Sequence, residues 1–161
     1  MSDTASADRQ QSTRILMACS AGGHLAQLLR LEPWYHDLDV RWITFDLPDA
    51  VGLLRDENVV WAHHPTTRSV KNLVRNTLLA LREIRHHRPD VVVSSGAAIA
   101  VPCFYIGKLF GAKTVYVEVI DRIDTRTLTA RLVSPVTDLF VTQDDAQLDL
   151  FPGSHMIGRL L

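Results

Sequence analysis

Short β-branched runs recur along this chain, each followed by a stretch with helical spacing. That alternation limits the fold more than any other feature. Residues 14–19, 40–45, 59–63, 91–93, 114–119, 139–142 and 156–160 read as strands. Residues 24–35, about 50–57, 69–87, 99–110 and 128–133 read as helices. The clearest helix is 69–87, where Val70, Leu73, Val74, Leu78, Leu81 and Ile84 keep the three-and-four spacing of one apolar face, and Arg88-Pro89-Asp90 stops it. Strand and helix in alternation with short loops predict an α/β fold: a Rossmann-like, mostly parallel sheet with helices on both faces. Ligands of such sheets bind beyond the carboxyl ends of the strands. The loops at 20–24, 94–98, 118–126 and 143–145 are therefore the places to look for chemistry.

Residues 1–13 are polar and small, without an apolar core, and are expected to form a disordered tail ahead of a single domain at 14–161. The tail has no secretory pattern. The longest apolar run, residues 97–110, contains Lys108 and is too short to cross a bilayer. Among 161 residues, 47% are hydrophobic and 22% charged, an ordinary globular balance. A net charge of −1 gives no electrostatic case for a nucleic-acid partner. Cys19 and Cys103 sit in separate apolar runs, as buried free thiols do, and the pairs His63-His64 and His86-His87 lack metal-ligand spacing. No metal is expected.

Ser20-Ala21-Gly22-Gly23-His24 links the first strand to the first helix. Its glycines allow close backbone approach, and free N–H groups there suit phosphate. The spacing fits neither a dinucleotide fingerprint nor a Walker loop. His24 has an intrinsic pKa suited to taking a proton from a hydroxyl. The alternative is a tight turn with a capping His. Ser94-Ser95-Gly96-Ala97-Ala98 repeats the small-residue logic on a later strand, either for ligand approach or merely to close a turn. Glu118 ends the apolar run Val115-Tyr116-Val117, with Asp121, Arg122 and Arg126 just beyond. It is either a carboxylate facing the crevice or half of a surface ion pair with Arg122. Around the 69–87 helix, Arg68, Lys71, Arg75, Arg82, Arg85 and Arg88 stand against Glu83 alone. This is either a solvated face over an apolar core stripe or a basic surface for anionic lipid.

Four ordered segments together resemble a known family. They are Ser20-Ala21-Gly22-Gly23-His24-Leu25; Ser95-Gly96-Ala97 with Val101-Pro102; Tyr116-Val117-Glu118-Val119-Ile120-Asp121-Arg122 with Leu128-Thr129; and Phe151-Pro152-Gly153 with Ile157-Gly158-Arg159-Leu160-Leu161. The chain is similar to the bacterial exopolysaccharide proteins called PssD or CpsF and to the eukaryotic Alg-fourteen subunit. The resemblance runs over nearly all of residues 14–161. It implies the N-terminal, MurG-like, acceptor-side half of a GT-B glycosyltransferase split into two chains. It also implies inverting, metal-free transfer onto a polyprenyl-pyrophosphate-linked saccharide in polysaccharide biosynthesis, with little activity from this chain alone. A second chain, similar to PssE or the Alg-thirteen protein, would bind the UDP-sugar donor, and this chain would hold no cofactor.

On that reading His24 or Glu118 takes the acceptor proton. Ser20, Gly22, Gly23, Ser95, Gly96 and Arg122 hold acceptor and phosphate. Lys71 and Arg75 touch the membrane, and Ile157, Leu160 and Leu161 touch the partner. The expected place is the cytoplasmic face of the cell membrane, peripherally. The rival reading is a non-catalytic scaffold that recruits a partner transferase. Two departures from the family stand out: eukaryotic relatives carry an N-terminal membrane anchor where this chain has a polar tail, and Gln143-Asp144 replaces the Gln-Trp of many relatives.

Overall fold

The computed structural model describes residues 12–66 and 69–161. The expected tail lies outside them except for Ser12 and Thr13, which are exposed. The elements run in chain order: β1 (Arg14–Ala18), α1 (Gly23–Leu29), α2 (Glu32–Tyr35), β2 (Asp39–Phe45), α3 (Pro48–Leu53), β3 (Val59–Ala62) and α4 (Val70–His87). There follow β4 (Val91–Ser94), α5 (Ala100–Leu109), β5 (Lys113–Val117), α6 (Leu128–Val133), a 3-10 turn (Ser134–Val136), β6 (Leu139–Thr142), α7 (Asp145–Leu148) and β7 (His155–Met156). The strands form one sheet in the order β3-β2-β1-β4-β5-β6-β7, and every neighbouring pair is parallel.

Successive residues of a strand face opposite sides, so β1 feeds two cores. Ile15 and Met17, with Cys19 just after the strand, pack with Leu25, Leu28, Tyr35, Trp42 and Leu54 on the α1–α3 face. Leu16 and Ala18 pack with Phe45, Ala80, Ile84, Cys103, Phe104 and Tyr116 on the α4–α6 face. Burial pushes both thiols up to about 12, so they are inert apolar filler.

Three expected elements come out differently. The 24–35 helix breaks at Arg30-Leu31, where Pro33 opens a second, short helix. The helix expected near 50–57 starts earlier, with Pro48 in its first turn. The last strand is only His155–Met156, because β7 pairs with β6 for just two residues at the sheet edge.

The largest correction concerns α4. Its apolar stripe was expected to cover the core, but Val70, Leu73, Val74, Leu78 and Leu81 are all exposed, Val70 at 74%, and of the six only Ile84 is buried. The inward face carries Asn72, Asn76, Ala80, Glu83 and His87. These polar groups are satisfied locally. Asn76 accepts from the His63 N–H at 2.7 Å and donates to the His63 carbonyl at 2.8 Å, and Asn72 donates to the Pro65 carbonyl at 2.8 Å. Arg41 of β2 donates to Glu83 at 2.8 Å. Burying them costs little because each has a partner, which frees the apolar side to point outward. α5 packs between α4 and α6, and Leu109, Phe110, Leu128 and Leu132 are likewise exposed on that layer. No helix among the described residues is long and apolar enough to cross a membrane.

Candidate functional site

Strand order reverses between β1 and β4: the chain leaves β1 toward β2 and leaves β4 toward β5. The helices that follow lie on opposite faces, so their entry loops part and leave a crevice at the carboxyl edge. Gly22 caps α1 with φ 77°, a left-handed backbone that a side chain would strain. Its N–H donates to the Asp49 carboxylate at 2.7 Å, so one of the N–H groups expected to meet phosphate is occupied within the chain. Gly23 is open around its Cα, and Ser20 is half-buried beside the loop.

His24, in the first turn of α1, does not cap the helix. Its ring crosses to the β4 loop, where Nδ1 lies 2.8 Å from the Ser95 carbonyl, and Ser95 Oγ donates to the His24 carbonyl at 3.1 Å. A carbonyl only accepts, so Nδ1 carries the hydrogen and the lone pair is on Nε2. Burial lowers the His24 pKa, with the Ser95 contact opposing, so the ring is a neutral base at pH 7. Ser95 is itself fully buried. Its hydroxyl thus positions His24 instead of facing a ligand.

Gly96 and Ala97 both take positive φ, 117° and 69°, and the second is uncommon for Ala. A Cβ on Gly96 would lie 2.8 Å from Tyr116 Oη and 3.3 Å from His24 Cε1. Gly96 therefore lets the imidazole and the phenol approach one another. Tyr116 reaches this point from β5, and its hydroxyl lies 3.3 Å from Thr127 Oγ1, whose side chain caps α6. Burial raises the Tyr116 pKa, so the phenol stays a neutral donor.

Glu118 lies one residue beyond β5, where the expected strand ran to 119, and is fully buried. Its Oε1 accepts the Val119 N–H at 3.1 Å, and Oε2 is buried with no hydrogen-bond partner. The expected alternative, an ion pair with Arg122, is not formed. Burial pushes the carboxyl up to about 7, against the Val119 N–H and the Arg122 charge, which both lower it. A carboxyl held half-ionised near neutrality and short of one hydrogen bond costs stability, a mark of functional sites. Asp121 and Arg122 act on both His24 and Glu118, but no hydrogen bond joins the two: His24 pairs with Ser95 and Glu118 with the Val119 N–H. The exposed Arg122 side chain makes no bond to the described residues, whereas Arg126 is committed to the Leu150 carbonyl and the Phe151 ring.

Three buried glutamines behind this loop, Gln27, Gln143 and Gln147, were not expected as site residues. Gln27 lies three positions after His24 and accepts from the Ile120 N–H at 3.2 Å, so one helix holds both sides of the crevice. A Gln inside the apolar run Leu25 to Leu29 was the available signal. Lys71 and Arg75 are exposed on α4 among the outward leucines, on the helix that packs against α5. At the carboxyl end Ile157 and Leu161 are exposed, while Leu160 packs on the α1–α3 core.

A family model described as "Oligosaccharide biosynthesis protein Alg14 like" matches residues 58–160. The chain belongs to this family. It is 25% identical to the rat UDP-N-acetylglucosamine transferase subunit ALG14 over 183 residues, covering 94% of this chain and 85% of that one. The human protein of the same name is 24% identical over 186 residues, with the same shares covered. Among solved structures, the chain superposes on MurG from Acinetobacter baumannii with a TM-score of 0.72 at 18% identity, covering 89% of this chain and 44% of that one. It also superposes on UDP-N-acetylglucosamine 2-epimerase from Rickettsia bellii, TM-score 0.72 at 10% identity, covering 92% and 45%. This Alg14-like chain therefore has the fold of the N-terminal GT-B half and spans less than half the length of either solved structure. The Alg14 match takes in the Gly96 turn, Tyr116, Glu118 and Arg122 and begins after the His24 loop.

Proposed function

We propose that this chain is the acceptor-side subunit of a two-chain UDP-sugar-dependent glycosyltransferase. The observation that carries the reading is His24: a neutral imidazole fixed through Nδ1, with Nε2 unspent, at the point of the sheet where ligands bind. In the proposed step the acceptor hydroxyl attacks C1 of the donor sugar from the face opposite UDP. The new C–O bond forms as the bond to UDP breaks, His24 Nε2 takes the hydroxyl proton, and the configuration inverts. Glu118 sits behind the loop with its carboxyl pushed up to about 7 by burial, and Glu118→Gln tests whether that group contributes to the rate. Arg122 and the Gly23 N–H are the groups offered to acceptor phosphate. The partner, an Alg13-like chain meeting Ile157, Leu160 and Leu161, supplies the donor-binding half; the residues here cover 44% of the length of MurG.

The outward stripe of α4 supports a membrane position for the acceptor side. Leucines and valines flanked by Lys71, Arg75 and Arg85 suit peripheral contact with anionic lipid, in keeping with a polyprenyl-pyrophosphate-linked acceptor. The cytoplasmic face of the cell membrane and a role in polysaccharide biosynthesis complete the reading.

The test is reconstitution with the UDP-sugar-binding partner on a lipid-linked acceptor. Wild-type complex should transfer sugar and the pure chain should not. His24→Ala should cut turnover by roughly 10²–10⁴-fold in a verified complex. A His24→Ala complex within a few-fold of wild type would leave this chain a non-catalytic scaffold.

A further inference from the structure

Residues 118–122 follow β5 and keep only one ladder bond, from the Glu118 N–H to the Val141 carbonyl of β6 at 2.9 Å, yet the segment is buried or half-buried as far as Ile120. Side-chain amides bind most of the remaining backbone groups. Gln147 Nε2 donates to the Val119 carbonyl at 2.8 Å and to the Arg122 carbonyl at 3.1 Å, and its Oε1 accepts the Gln143 N–H at 2.8 Å. Gln143 Nε2 donates to the Glu118 carbonyl at 2.9 Å and to Gln27 Oε1, which also accepts the Ile120 N–H. Gln143 Oε1 accepts the Leu160 N–H at 2.9 Å. Three amides at most 4% exposed thus join α1, the loop and the carboxyl-terminal segment in one chain of hydrogen bonds.

We propose that Gln143, with Gln27 and Gln147, positions the loop bearing Glu118 and Arg122, and that its bond to Leu160 makes loop geometry depend on how residues 157–161 are seated. Leu160 is half-buried, while Met156, Ile157 and Leu161 beside it are about half exposed. An apolar partner surface closing over those three side chains would hold Leu160 against Gln143 and so complete the loop. Without it, the segment is held by the Arg159–Asp144 pair at 2.8 Å, the two-residue β7 pairing and Leu160 itself. Gln143 is buried and acts through the Glu118 carbonyl and the neighbouring glutamines.

The structural arm of the test needs no activity: hydrogen exchange on the full chain. Gln143→Met keeps the volume and removes every side-chain amide bond; Leu160→Pro removes the N–H donor along with the leucine side chain, and Leu160→Ala, which keeps the N–H, controls for the side chain. Gln143→Met and Leu160→Pro should both raise exchange of the Ile120 amide roughly tenfold, the change expected when buried backbone groups lose their partners. Exchange in β1 and β2 should stay as in wild type. Unchanged Ile120 exchange in Gln143→Met overturns the positioning role. A rise in Gln143→Met but none in Leu160→Pro overturns the dependence on the carboxyl-terminal segment. Should Gln143→Met fail to fold, Leu160→Pro still decides.

The kinetic arm rests on the function proposed above. In the complex, Gln143→Met should lower kcat about tenfold with donor KM unchanged, and Gln143→Glu, which sets an acceptor oxygen against the Glu118 carbonyl and Gln27 Oε1, should do no better. Equal kcat with only a lower melting temperature would make the glutamines plain structural filler. If wild-type complex transfers no sugar, the functional reading fails while the exchange result still judges the positioning claim.

Discussion

Replacing Glu118 by Gln separates what this buried carboxylate costs the fold from what it does for the reaction. Glu118 is fully buried with Oε2 unpartnered, and burial lifts its carboxyl from an ordinary 4.5 to about 7. As pH rises from 4.5, the unfolded chain gives up this proton first, so stability falls across the window and stops falling above about 7. At 1.36 kcal/mol per pH unit, the gap corresponds to about 3 kcal/mol, and relaxation around the charge makes about 2 kcal/mol a sensible lower figure. Glu118→Gln has no such proton to lose. The stability difference between variant and wild type should therefore grow in the variant's favour by about 2–3 kcal/mol between pH 4.5 and 8. His24, whose pKa is lowered, adds a slope of opposite sign, but it is common to both proteins and leaves the difference untouched. Urea midpoints at four pH values, with equal m-values, measure it. A difference that does not change with pH would refute the raised pKa, and one that grows in favour of wild type would refute the sign. Turnover on the same samples completes the case: a variant that is stabilised at pH 8 but slow marks a strained functional charge, and one stabilised at full speed marks a dispensable one.

Two other perturbations follow from the geometry. Gly96→Ala should displace His24 or Tyr116, because the new methyl meets Tyr116 Oη at 2.8 Å and the backbone stands at φ 117°. We expect a loss of about 1–3 kcal/mol in urea midpoint and, in the complex, a fall in turnover at constant partner affinity. Unchanged stability would mean that the turn re-forms elsewhere. Leu73→Asp with Leu78→Asp changes only exposed residues of α4. It should leave the melting temperature within a few degrees of wild type and abolish sedimentation with anionic vesicles. Wild-type binding should weaken with salt without vanishing, since the apolar part is unscreened. Undiminished sedimentation of the double variant would place the membrane contact on another face.

The alternation of strands and helices was legible because its signals are local. β-branched runs, Pro and Gly punctuation and helical spacing act within a few residues, and six of the seven strands lie close to where the pattern put them, the short edge strand β7 being the exception. The Gly22-Gly23-His24 loop and Glu118 stood out for the same reason, each being a polar break at the end of an apolar run. What could not be read was direction. A helical stripe shows that one face is apolar, not which side the sheet lies on, and α4 turns its stripe outward because Asn72, Asn76 and Glu83 find partners inside. Pairings across long separations were equally hidden: His24 with Ser95, Gly96 with Tyr116, and Gln143 with both Gln27 and Leu160. Sequence by itself therefore determined most of the elements, the mostly parallel sheet they build and the edge of that sheet where chemistry belongs. Tertiary structure decided which tautomer His24 holds, that Glu118 is sealed, and which helix face meets the outside. Those are matters of desolvation and hydrogen-bond geometry between residues up to 116 positions apart, and no strand or helix periodicity carries them.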